Sequence, residues 1–188
     1  MKKESPKPLL KKTILLGLSG SIALYRSCDL VRELKSEGAN VICVMTKSAE
    51  KFVTATTFQA LSGNTVYTDP FSTQEDWAVL HTTLADKADL ILICPASTNL
   101  IARLASGMAD DMVTSVVLAS KAKVLIAPAM NDNMLSHKIT QENIQKLKKV
   151  GYQFIEPIEG DLVCGRVGVG HIAEQATILD HVKSILSK

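Results

Sequence analysis

Residues 13–45 read TILLGLSGSIALYRSCDLVRELKSEGANVICVM, and the reading of this stretch decides the fold. Thr13 to Leu18 is a short apolar run that stops at Ser19-Gly20-Ser21. Ile22 to Glu37 then carries Leu24, Cys28, Val31 and Leu34 at helical spacing. Gly38 is placed to cap that helix, because glycine takes the left-handed turn beyond a helix end without steric cost. Val41 to Met45 follows as a second unbroken apolar run, the kind that a parallel sheet buries on both faces. Strand, tight turn, helix and strand in that order open a βαβ unit.

The same punctuation recurs twice further on. Ala88 to Cys94 reads as a strand ending at Pro95, with a helix over about Thr98 to Ala105. Lys123 to Ala127 reads as a strand ending at Pro128, followed by a helix around Lys138 to Lys149 and a weak strand at Tyr152 to Ile155. A last helix, Glu174 to Leu186, puts Ile178, Val182 and Ile185 at core spacing. This alternation predicts an α/β fold, a single Rossmann-like doubly wound parallel sheet with its ligand crevice at the carboxyl ends of the strands. The informative loops are then those after Leu18, Met45, Cys94 and Ala127. Two stretches break the rhythm. Tyr67 to His81 is polar and loop-like around the single tryptophan, Trp77, and Glu156 to Gly170 is a glycine-rich loop of the kind that serves as a lid.

With 188 residues, 46% of them hydrophobic, the chain is the size of one globular domain, set at residues 13–188. Residues 1–12, with five lysines, read as a basic leader expected to be poorly ordered. Beyond it the charge is nearly balanced and aromatics make up only 4%, which excludes the basic, stacking surfaces of nucleic-acid binders. Cys28, Cys43, Cys94 and Cys164 are widely spaced with no C-x-x-C pair, so neither a zinc site nor a disulfide framework is expected. The leader's only apolar run is Leu9-Leu10, and no stretch approaches the ~20 apolar residues of a membrane span. A cytoplasmic setting without membrane contact is the expectation.

Candidate chemistry gathers at the strand ends. Ser19-Gly20-Ser21 follows neither the dinucleotide nor the P-loop pattern. Its small residues still open a helix, where unpaired N–H groups and the dipole favour an anion, the alternative being an ordinary serine cap. Pro95-Ala96-Ser97-Thr98-Asn99 gives a second such start at the same sheet edge, and together the two form a cradle for one monophosphate. Pro128-Ala129-Met130-Asn131-Asp132-Asn133-Met134 places amides to fix a substrate carboxylate or amide, or else simply caps a turn. His81, at the end of the polar loop, is either a base or a structural residue. His137, His171 and His181 read as solvated or structural. Cys164, in the glycine-rich loop, is where a reactive thiol belongs.

In combination these motifs resemble the homo-oligomeric flavin-containing cysteine decarboxylases, most closely their phosphopantothenoylcysteine decarboxylase branch. The resemblance spans Lys12 to about His181 and includes Leu162-Val163-Cys164-Gly165 with Gly168 and Gly170. Thr98 and Leu100 stand where that family usually has Ala and Thr, and Leu135 stands where it has Trp. The resemblance implies FMN as cofactor, held by Gly20, Ser21, Ile22, Thr46, Ser48, Ser97, Thr98, Asn99 and Ala129. It implies 4'-phosphopantothenoylcysteine as substrate, held by Asn131, Met134, Leu162 and Val163. His81 is then the base that assists oxidation of the cysteine side chain, and Cys164 the acid that protonates the product after carbon dioxide leaves. Homo-trimers, often grouped into dodecamers, are the implied assembly.

Other readings within reach are a peptidyl-cysteine decarboxylase, which needs no returning acid, and a non-catalytic flavin-binding regulatory subunit. Flavin prenyltransferases lack the Pro-Ala-Met-Asn segment present here, and a nucleotide-dependent dehydrogenase requires a glycine fingerprint that is missing.

Overall fold

The computed structural model describes residues 7–70, 80–161, 165 and 167–187. In chain order its elements are β1 (Thr13–Leu18), a 3-10 turn (Ile22–Tyr25), α1 (Arg26–Ser36) and β2 (Asn40–Met45). A second 3-10 turn (Ala49–Lys51), α2 (Ala55–Ser62), α3 (Leu80–Lys87), β3 (Leu90–Ala96), α4 (Thr98–Ala105) and α5 (Met112–Ala119) follow. The chain continues through β4 (Lys123–Pro128), α6 (Asp132–Ser136), α7 (Lys138–Lys149), β5 (Gln153–Phe154), β6 (Ile158–Asp161), β7 (Val167–His171) and α8 (Gln175–Leu186).

β1 to β5 form one parallel sheet in the order β2-β1-β3-β4-β5. The chain leaves β1 toward β2 and then crosses to the opposite side for β3, so β1 and β3 flank the topological switch point where such sheets open a crevice. Successive strand residues serve opposite layers. Leu16, Cys43, Leu92 and Leu125 pack under α1, α2 and α8, while Leu15, Ile91, Ile93 and Val124 pack under α3, α4, α5 and α7. Two covered faces explain why the strands are apolar at nearly every position.

Gly38 caps α1 at φ +98°, as expected. The helix itself is divided: Leu24 N–H bonds back to Ser21 O over three residues, and regular α geometry begins only at Arg26. The leader also differs from expectation from Lys7 on. Leu9 is fully buried in the α1–α8 layer and its amide donates to Glu37 O at 3.0 Å, because this one leucine of the leader's apolar pair turns onto the end of α1 while Leu10 stays exposed. Within the glycine-rich segment, read from sequence as a loop, β6 and β7 pair as a two-stranded antiparallel ribbon. His81 lies in the first turn of α3, and Tyr67 bridges to Val44 beside the sheet edge. Trp77 lies outside the described residues. Among the described residues no helix is long and apolar enough to cross a membrane.

Candidate functional site

At the switch point, side-chain hydroxyls join the strand-end loops into one platform. Ser19, buried at 1% exposure, donates to Pro95 O and accepts from the Ser97 amide, both at 2.8 Å. Ser27 donates to Cys94 O at 2.8 Å. Ser21 donates to Ala129 O at 3.3 Å and accepts from Ala23 N–H at 3.4 Å. The hydroxyls of the first turn are thus engaged with protein, and what the turn offers a ligand is its backbone N–H groups.

Gly20 shows how tightly this cradle closes. A Cβ built there would lie 2.7 Å from both Cβ and Oγ of Ser48, so only glycine admits the second loop over the first. Thr46 holds Ser48 in place, with 3.0 Å between their hydroxyl oxygens, and accepts from Ala49 N–H at 3.2 Å. Across the gap Ser97 caps α4 by accepting from Leu100 N–H at 3.3 Å. Two helix starts and the Ser48 side chain thus face one cavity, a set of N–H and O–H donors whose chemistry suits a phosphate.

A cavity of about 700 Å³ opens over this platform. Gly20, Ser21, Ile22, Ser48, Ser97, Thr98, Asn99, Ala129, Asn131 and Met134 all line it. Thr46 does not, being 5% exposed behind Ser48, so it supports the cradle through that residue. His81, in the first turn of α3, does not line it either within one chain. Leu162, Val163 and Cys164 lie outside the described residues. The far wall comes from the hairpin: the Met130 amide donates to Gly170 O at 3.0 Å, which fastens β7 to the loop carrying Asn131.

Sequence reasoning passed over Arg26 and Asp161 and read His171 as solvated or structural, and all three line the cavity. Arg26 donates to Glu174 at 2.8 Å and its Nη1 lies 3.3 Å from His171 Nδ1, tying α1, β7 and the start of α8 together. His171 is therefore part of the cavity wall. His137 caps α7 by accepting from Ile139 N–H at 3.3 Å, a structural role as expected. Burial pushes the thiols of Cys43 and Cys94 up to about 12, which makes both inert at neutral pH.

The sheet order and the cavity over its strand-end loops define a doubly wound α/β protein with a cleft at the switch point. The family model described as Flavoprotein matches residues 2–187, and the chain belongs to that family. It is 48% identical over 171 residues to the coenzyme A biosynthesis bifunctional protein CoaBC of Bacillus subtilis, covering 91% of this chain and 42% of that protein. The chain thus spans about two fifths of the bifunctional relatives' length. It is 44% identical over 179 residues to a probable phosphopantothenoylcysteine decarboxylase of Streptococcus mutans, covering 94% of this chain and all of that one. Among solved structures, a cysteine-to-serine mutant of PPC decarboxylase complexed with pantothenoylaminoethenethiol superposes with a TM-score of 0.86 at 30% identity, covering 94% of this chain and 99% of that one. The FMN-binding protein AtHal3 superposes at 0.82 with 32% identity, covering 93% and 96%.

Proposed function

We propose that this chain binds FMN and decarboxylates the cysteine end of 4'-phosphopantothenoylcysteine to give 4'-phosphopantetheine, a carboxy-lyase step of coenzyme A biosynthesis. The observation that carries the reading is the close contact of Gly20 with Ser48 at the edge of a cavity that Ser97, Thr98 and Asn131 also line. The full-length match to a probable decarboxylase supports the same substrate.

Decarboxylation of an N-acyl cysteine leaves an electron pair on carbon with no neighbouring sink, and bound FMN supplies one by reversibly accepting hydride from the CH2–SH carbon. The backbone N–H groups of Gly20, Ser21 and Ile22, with Ser48, hold the cofactor's phosphate. Ser97, Thr98, Asn99 and Ala129 shape the floor on which the rest of it lies. Asn131, whose Oδ1 accepts from Asn133 N–H at 3.0 Å, has a fixed amide orientation and holds the substrate carboxylate. Met134, Leu162 and Val163 enclose the substrate's pantothenoyl arm. His81 takes the thiol proton, and Cys164 returns a proton to carbon once carbon dioxide has gone. Because His81 does not line its own chain's cavity, it serves the cavity of a neighbouring copy in a homo-trimer or dodecamer. The setting is cytoplasmic.

Purified yellow protein given either 4'-phosphopantothenoylcysteine or a peptide ending in cysteine tests the substrate class. The phosphorylated substrate alone should lose the mass of carbon dioxide. Turnover of the peptide alone would move the assignment to peptidyl-cysteine decarboxylation.

A further inference from the structure

The loop carrying Asn131 is gripped from two sides. On the hairpin side, the Met130 amide donates to Gly170 O at 3.0 Å, and a Cβ on Gly170 would lie 2.1 Å from Met130 O. On the other side Thr98, the first residue of α4, donates its hydroxyl to Met130 Sδ at 2.9 Å. Thr98 and Met130 both line the cavity, so this contact sits in its wall. A methionine side chain has three rotatable bonds and adapts readily to its surroundings; the hydroxyl selects one arrangement out of many. The residue after Met130 is Asn131, so a fixed Met130 side chain and backbone leave the asparagine little freedom.

We propose that Thr98 is a positioning residue that acts through the Met130 sulfur to set Asn131 against the substrate's carboxylate. The proposal rests on the carboxylate role given to Asn131 above. It distinguishes Thr98 from the neighbouring cradle residues, whose polar atoms meet the ligand directly. It also gives the hydroxyl at this position a task that alanine could not perform.

The test uses FMN-saturated protein and two ligands that cannot react: 4'-phosphopantothenoylserine, which keeps the carboxylate but lacks the thiol, and the corresponding ethanolamine amide, which lacks both. Binding is read from perturbation of the flavin spectrum, without turnover. Thr98→Val should weaken the serine ligand about three- to tenfold, the usual worth of one hydrogen bond, and leave the ethanolamine ligand unchanged. Thr98→Ser should restore wild-type affinity. Met130→Leu removes the acceptor instead of the donor and should match Thr98→Val, with the double variant no worse than either single one. Equal weakening of both ligands, additive losses in the double variant, or unchanged serine-ligand binding in Thr98→Val would each overturn the proposal. If wild-type protein binds the ethanolamine ligand and not the serine ligand, the decarboxylase reading itself falls.

Discussion

The buried hydroxyl of Ser19 accepts a hydrogen bond from the Ser97 amide at 2.8 Å, joining the loop after β1 to the loop after β3 across 78 positions of sequence. The same oxygen donates to Pro95 O, so one side chain satisfies two backbone groups. Ser19→Ala leaves both without this partner. Loss of about 1–3 kcal/mol of unfolding free energy is expected, the cost of an unsatisfied buried polar group. Urea denaturation of apo protein measures it.

Gly20→Ala forces a methyl group to within 2.7 Å of Ser48. The two loops must part, and the phosphate cradle widens. FMN affinity should fall at least about tenfold, on the order of 1.4 kcal/mol, while the apo protein keeps its circular dichroism spectrum. Flavin fluorescence titration checks the first and spectroscopy the second.

Gly170→Ala acts on the other wall. Its Cβ would lie 2.1 Å from a backbone oxygen, which no side-chain rotation relieves, so the hairpin must withdraw from Met130. FMN should remain bound because the phosphate cradle is untouched. Turnover, measured as kcat/KM, should drop by roughly 100-fold, the cost of misplacing a reacting group by about an ångström.

Arg103 joins α4 to the start of α5, bonding Asp110 and, at 2.8 Å, Asp111, which itself caps α5 by accepting from Thr114 N–H at 2.9 Å. The Arg103 guanidinium holds the Asp110 carboxyl below the usual carboxylate range. A carboxylate whose folded pKa is depressed contributes stability above its unfolded pKa, and that contribution disappears as pH falls through the folded value. Arg103→Met should therefore lower Tm at neutral pH, with the gap to wild type closing below about pH 4. Thermal unfolding across a pH series checks this.

Burial holds the thiols of Cys43 and Cys94 near 12, so they should resist iodoacetamide in native protein at neutral pH and react only after denaturation. Peptide mass spectrometry reads both states. Labelling of Cys94 in native protein would contradict the packing described.

The parallel sheet was legible because its strands are apolar on both faces and end at Leu18, Met45, Ala96 and Pro128, at or next to sharp punctuation. α5 left no periodic signal: Met112–Ala119 is apolar almost all round, being packed between neighbours, and so shows no stripe. The β6–β7 hairpin was hidden by its glycines, which weaken a strand pattern but allow Gly170 its approach to Met130. Most of the candidate site could be read from motifs at strand ends, because the switch point brings those ends together whatever joins them. Arg26 and His171 could not, since their pairing spans 145 positions and neither stands in a recognisable motif. That His81 does not line the cavity of its own chain was equally invisible, because a sequence does not say where a helix start lies relative to the strand-end loops.

The most direct test of the central claim is anaerobic turnover of 4'-phosphopantothenoylcysteine, with flavin absorbance and product mass followed together in wild-type protein and in Cys164→Ser. The account predicts loss of one carbon dioxide with no lasting flavin bleaching in the wild type, and bleached flavin with an oxidised, decarboxylated product in the variant. A yellow wild-type protein that leaves the substrate intact would contradict it.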